Sequence, residues 1–253
     1  MLHPTRRQSD ILRMVKLHGT CQIIELARDL GVSDETIRRD VRLLADEGMV
    51  VKVHGAIVAP ARLREDPFQL RMQENRDEKI RIAARAASLI EHGESIMLDT
   101  GSTTAYVAQT FAEHRNLLAV TNSVEVARSF ASQNGNRVYM AGGEIRADDG
   151  AVFGETANEF ASRFLVDKGF LSISAITEEN GLMDSELWEA DFSRVIIRQA
   201  KQVIVVADHT KFNRRSLVKV CDFDDIDILI TSAQPPPAIQ DKLDAAGVNV
   251  IVA

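Results

Sequence analysis

Cysteine is nearly absent from the 253 residues. There are two, Cys21 and Cys221, far apart and with no CxxC spacing. A disulfide framework and a cysteine-built zinc site are therefore excluded. Long apolar runs are also missing, and none approaches the roughly 18 residues that a membrane helix needs. The opening Met-Leu-His-Pro-Thr-Arg-Arg leads into an amphipathic pattern and lacks the apolar core of a signal peptide, so a cytoplasmic location is expected. No repeat or low-complexity tract is visible. Hydrophobic residues make up 45% and charged residues 26%, a globular composition that rules out global disorder. The length allows one large domain or two smaller ones.

A net charge of −7 speaks at first against a nucleic-acid partner, but the charge is unevenly spread. Residues 1–80 carry 14 Lys+Arg against 13 Asp+Glu, whereas residues 81–253 carry 16 against 24. A weakly basic head on an acidic body suits a small nucleic-acid module joined to something else. Residues 59–77, with two prolines, many charges and few apolar side chains, read as a linker. It separates a head of residues 1–58 from a body of residues 78–253.

In the head, Ile11, Leu12 and Val15 recur at helical spacing. A turn is expected at His18-Gly19-Thr20, then a short helix from about Gln22 to Leu30 that Gly31 stops. Ser33 can cap a third helix running through Glu47, with Ile37, Val41 and Leu44 as its inner stripe. Two β-prone runs around His54-Gly55 suggest a hairpin. Three helices with a tight turn and a hairpin describe a winged helix-turn-helix, whose third helix enters the major groove. Burying the inner stripe leaves Glu35, Thr36, Arg38, Arg39 and Arg42 on other faces. Arginine suits both guanine and phosphate. Ser33 and Thr36 can donate to phosphate at the helix start, and Lys52 and His54 sit where a wing meets the DNA. The competing reading is a protein-interaction module whose arginines pair with Asp40, Asp46 and Glu47.

The body alternates short β-branched runs near residues 96–98, 117–120, 138–140, 170–173, 203–206, 228–230 and 248–251 with helical segments. That pattern predicts an α/β domain with a mostly parallel sheet covered by helices. Asp99, Thr100, Gly101, Ser102, Thr103 and Thr104 form a strand-to-helix turn suited to an anion. It lacks the Gly-Lys-Ser/Thr element of a P-loop. Thr121, Asn122 and Ser123 follow the next strand, and Gly142, Gly143, Glu144 and Arg146 the one after. In parallel sheets such loops converge on one pocket. Lys211 would be a cation at the same sheet end, and Asp184, Glu186 and Glu189 either meet sugar hydroxyls or begin a helix. The pattern calls for no cofactor and no metal.

The segment ELARDLGVSDETIRRDVRLLADEG at 25–48, followed by VHGA at 53–56, resembles the DNA-binding head of the DeoR family of bacterial transcription regulators. That family often shows His-Gly-Gly-Ala where this chain has His54-Gly55-Ala56. The body motifs LDTGSTT, VTNS, AGGEIR, FGE and DHTKF are similar to the same family's sensor domain, so the resemblance spans roughly residues 6–253. Within the family, AGGEIRADDG at 141–150 and DHTKF at 208–212 look most like the glycerol-3-phosphate repressor branch. The resemblance implies a sensor fold like ribose-5-phosphate isomerase and CoA-transferase-like domains. It also implies operator DNA as partner, a phosphorylated sugar or polyol as effector, and a homo-oligomer, dimer or tetramer. Carried onto this chain, Asp99 and Gly101 to Thr104 correspond to the phosphate loop, Thr121 to Ser123 to the second loop, and Lys211 to the lysine near the ligand. The isomerase-like body keeps a second reading open: a sugar-phosphate isomerase with an appended head, its chemistry drawn from Asp99, Glu144, Asp208 or Lys211.

Overall fold

The structure, a computed structural model, describes residues 5–18, 20–53, 55–58, 65–111, 113–131 and 134–253. The chain divides into two compact units, Met1–Arg62 and Leu63–Ala253.

The first unit holds α1 (Arg6–His18), β1 (Thr20–Gln22), α2 (Ile23–Asp29), α3 (Asp34–Asp46), β2 (Val51–Val53) and β3 (Ala56–Val58). Ile11, Val15, Leu26, Ile37, Val41, Leu44 and Ile57 close its core. The α2–α3 turn passes through Gly31 at φ +65°, a left-handed conformation that glycine adopts without a Cβ penalty. Ser33 caps α3, its Oγ accepting from the Thr36 amide at 3.3 Å. The expected hairpin forms as β2 antiparallel to β3. β1, where a turn was expected, adds a third strand on the other side of β3. His54 lies outside the described residues.

In the second unit, α4 (Phe68–Gln73) and α5 (Arg76–Ala87) come first. They precede β4 (Ser95–Leu98), α6 (Ser102–Phe111), β5 (Leu118–Thr121), α7 (Val124–Phe130), β6 (Arg137–Met140), α8 (Glu155–Ala161) and β7 (Val166–Leu171). The chain continues through β8 (Ala175–Thr177), β9 (Gly181–Asp184), α9 (Leu187–Gln199) and β10 (Ala200–Ala207). It ends with β11 (Val218–Cys221), β12 (Ile228–Thr231), α10 (Pro237–Ala245) and β13 (Asn249–Val252). Seven of these strands form one parallel sheet in the order β13-β12-β10-β7-β4-β5-β6. Each overlaps one of the seven runs read from the sequence, although β7 begins four residues before the run expected at 170–173. Alternation along each strand sends Ile96 and Leu98 to one face, with Ile82, Phe111 and Phe130, and Met97 to the other, with Phe192, Ile196 and Leu243. Both faces are covered by helices, which is why the strands read as continuous apolar runs. β11, β9 and β8 make a separate antiparallel sheet that no pattern in the sequence announced.

The expected linker requires a correction: residues 65–77 are folded into the second unit. The Phe68 ring is buried and its amide donates to Asp148. The Tyr106 hydroxyl of α6 donates to the Met72 carbonyl at 2.9 Å. The segment looks like a linker because it is held mainly by polar bonds to residues distant in sequence. The remainder of the expected linker, 59–64, lies outside the described residues. Cys21 and Cys221 are both free and both buried.

Candidate functional site

Two surfaces carry the candidate chemistry, one in each unit. On α3 of the head, Glu35, Arg38, Arg39 and Arg42 are exposed, while Ile37, Val41 and Leu44 face the core. Asp40 does not pair with these arginines. It is buried and accepts from Arg7 Nε at 2.5 Å and Gln8 Nε2 at 3.2 Å, tying α1 to α3. Among the described residues no ion pair engages Arg38, Arg39 or Arg42. The Ser33 and Thr36 hydroxyls lie 2.8 Å apart and bond to each other at the helix start. Lys52 is exposed on β2.

In the body the strand order reverses between β4 and β7, the switch point where a crevice opens beyond the carboxyl ends of a parallel sheet. Asp99, directly after β4, reaches across it: Oδ2 accepts from the Ser172 amide at 2.8 Å and from its hydroxyl at 3.3 Å. The neighbouring Gly101 leaves room for this bond, because a Cβ there would lie 1.9 Å from Ser172 Oγ and would force Ser172 to shift. Asp99 Oδ1 and Asn122 Oδ1 are buried without a hydrogen-bond partner among the described residues. Both residues line a cavity of about 320 Å³, together with Glu65, Arg71, Thr100, Asp184 and Glu189. Burial pushes the Asp99 carboxyl up to about 8, against the Ser172 amide and the Thr104 and Ser172 hydroxyls, which lower it. Burial also raises Asp184, with neighbouring carboxylates adding to the effect, and raises Glu189 against the Arg146 ion pair that lowers it. The cavity is thus rich in oxygen acceptors and in carboxyl groups whose hold on a proton burial strengthens, a surface suited to several hydroxyls.

A second cavity of about 300 Å³ shares Glu65 and Arg71 with the first and adds the cations Lys79, Lys211 and Arg214, the acids Asp66, Glu74 and Asp208, and Ser102. Lys79 Nζ donates to Ser102 Oγ at 2.9 Å at the start of α6, and also to the Arg71 carbonyl. Burial lowers this ammonium to about 8, although Asp208 raises it. Glu65 receives Lys211 Nζ on Oε1 and Arg71 Nη1 on Oε2, each at 2.5 Å. Burial alone would raise Glu65, but Lys211 and Arg71, with Arg214, hold it down at about 2.

The predicted loop residues therefore divide. Asp99, Thr100 and Asn122 line the first cavity, and Ser102 and Lys211 the second. Thr103 and Thr104 are buried in the first turn of α6, with Thr104 Oγ1 donating to the Gly101 carbonyl. Thr121 and Ser123 serve the backbone: the Thr121 hydroxyl accepts from the Ser123 amide, and Ser123 caps α7. Gly142, Gly143 and Glu144 are exposed and line neither cavity. Arg146 is not an open phosphate cation. It is paired with Asp149 and with Glu189 at 2.6 Å, and lies over the Phe153 ring. Lys79, Glu65, Arg71 and Arg214 were missed.

A winged helix-turn-helix unit followed by an α/β unit with a polar crevice at its switch point defines a DNA-binding, ligand-responsive transcriptional regulator. The DeoR-like helix-turn-helix domain matches residues 7–62, and the DeoR C-terminal sensor domain matches residues 74–233. The chain belongs to the DeoR family, and its relatives are named as transcriptional repressors or transcriptional regulators. The glycerol-3-phosphate regulon repressor of Escherichia coli is 34% identical over 239 residues, covering 94% of this chain and 95% of the relative. The transcriptional regulator GlpR of Haloferax volcanii is 32% identical, covering 98% of this chain and 97% of the relative. Among solved structures, ribose 5-phosphate isomerase A of Methanocaldococcus jannaschii is 19% identical over 56% of each chain, with a TM-score of 0.41. No helix among the described residues is long and apolar enough to cross a membrane.

Proposed function

We propose that this chain represses a carbohydrate or polyol catabolic operon and releases its operator when a phosphorylated polyol or sugar binds the body. The observation that carries the proposal is the pair of adjoining cavities. One offers Lys79, Lys211, Arg71, Arg214 and the Ser102 hydroxyl at the start of α6, the chemistry of a phosphate. The other offers unpartnered acceptors on Asp99 and Asn122 beside Asp184 and Glu189, the chemistry of hydroxyls. The glycerol-3-phosphate regulon repressors among the relatives make glycerol 3-phosphate the first effector to test.

In the head, Arg38, Arg39 and Arg42 read bases and phosphates from α3, Thr36 and Ser33 meet a phosphate at its start, and Lys52 contacts the backbone from the wing. Glu35 beside them restricts which bases are accepted. Two or more chains bind repeated half-sites, in the cytoplasm, where the operator is. The body acts as a sensor and not as an isomerase, in keeping with relatives named as repressors. The effector acts because it prefers the conformation that binds DNA poorly; equal preference would shift nothing.

The test is fluorescence anisotropy on DNA from upstream of the chain's own operon, at stated salt, with a panel of sugar and polyol phosphates. Specific binding that one phosphate compound releases is expected. Specific binding that none alters would remove the sensor assignment.

A further inference from the structure

Glu65 is the first residue described after the head, and its carboxylate lies inside the body. Lys211 holds one oxygen and Arg71 the other, both at 2.5 Å, and the side chain is 11% exposed. Arg214 adds positive potential to the same group. An oxyanion gripped by a lysine and an arginine in a half-dry cavity is the arrangement a bound phosphate makes. Here the oxyanion belongs to the chain itself. It occupies the cations that the proposed function gives to the effector's phosphate, and two buried anions cannot share them without a large repulsion.

We propose that Glu65 is a built-in competitor for the effector's phosphate. When phosphate enters the second cavity, it takes Lys211 and Arg71 and expels the Glu65 carboxylate. This inference rests on the phosphate reading of that cavity and specifies how the site is regulated. The expelled residue is tied to its neighbours. Arg71 Nε donates to the Asp66 carbonyl at 2.9 Å, and the Phe68 amide donates to Asp148. Displacing Glu65 therefore loosens the segment 65–68, the stretch by which the chain arrives from the head. Occupancy of the cavity becomes a change in that connection, and the signal needs no distant relay. A tethered carboxylate also sets a threshold. A phosphate alone must defeat a competitor of high local concentration, whereas a phosphorylated polyol gains additional hydrogen bonds in the first cavity.

Glu65→Gln removes the charge and keeps the shape. Isothermal titration calorimetry with inorganic phosphate and with glycerol 3-phosphate should show at least tenfold tighter binding to E65Q than to the wild-type chain. Hydrogen–deuterium exchange on the wild-type chain is an independent readout that needs no variant. Saturating glycerol 3-phosphate should speed exchange of the amides of residues 66–71. Equal or weaker binding by E65Q, with clear binding by the wild type, would overturn the competitor role and leave the phosphate reading standing. Slower exchange over 66–71 would do the same, because the segment would then close on the ligand. If neither protein binds either phosphate compound, the phosphate reading falls and the inference with it.

Discussion

The two units hold their charged groups in opposite ways. On α3 the arginines at 38, 39 and 42 stand in solvent, and no ion pair engages them among the described residues. In the body Lys211, Arg71 and Arg146 are each gripped by a carboxylate, and Lys79 bonds to a hydroxyl and a carbonyl. The difference follows from the surroundings. An exposed guanidinium remains hydrated until a polyanion displaces water and counterions, so it needs no internal partner. A cation in a half-buried crevice has lost that hydration, and leaving it unpaired costs several kcal/mol. The head can therefore keep its binding face open, while the body must fill its own with resident acids.

Either unit offers a way to test this contrast. The largest effect is expected from Arg38→Ala combined with Arg39→Ala. A bidentate arginine–base pairing is worth about 1–3 kcal/mol, so removing both side chains should lower operator affinity about 100-fold in anisotropy titrations. Glycerol 3-phosphate binding by calorimetry should not move, and a parallel fall there would mean that the units are not separable in this way. Gly101→Ala comes next and acts only on the body. The new methyl meets Ser172 Oγ, so denaturant unfolding of the body should lose about 2 kcal/mol. Unchanged body stability would show that Ser172 turns aside at no cost.

The third prediction concerns pH. The folded-state value of Asp99, about 8, lies above its ordinary carboxylate value. Below the ordinary value both states are protonated and Asp99 adds no pH dependence. Between about 4 and 8 the unfolded chain ionises while the folded chain holds the proton, so this group makes stability fall as pH rises. Asp99→Asn removes that fall. Its advantage over wild type in thermal melts should grow by roughly 1–2 kcal/mol from pH 5 to pH 6 alone, given about 1.4 kcal/mol per pKa unit. Parallel melting curves across the range would show that Asp99 is not the titrating group. The smallest effect belongs to the head: Ser33→Ala removes the α3 cap and should cost about 1 kcal/mol, visible in the head's unfolding and absent from the body's.

Much of the architecture was legible because the same physics acts on every strand. Val203 to Val206 and Ile228 to Ile230 are apolar on successive positions, as a sheet covered on both faces demands. The third helix of the head was legible from Ser33 and the Ile37, Val41, Leu44 stripe. β8 and β9 left no trace because three or four residues such as Ala175–Thr177 show no usable period. α4 was hidden for a different reason. Phe68 is its one buried side chain, and the rest of its docking runs through long-range polar bonds that look like solvated charge in sequence. The site divides along the same line. Asp99, Asn122 and Ser102 sit on loops at strand ends, a position that topology dictates. Lys79 looks like any charged residue on a helix, and only the folded chain shows it buried against Ser102. Glu65 and Arg71 were concealed inside an apparent linker, and their only signal was an unusual density of opposite charges at 62–78. Arg146 was visible, and so was Asp149 three positions on, but its second partner Glu189 lies 43 positions away and was not.

The two buried cysteines have a consequence for what this regulator can hear. Burial raises the Cys21 thiol, with Glu25 and Asp29 adding to the effect, and pushes Cys221 up to about 12. The thiolate is the form that attacks peroxides and disulfides, and burial shifts both thiols away from it. Oxidative stress therefore finds no ready sensor in either cysteine.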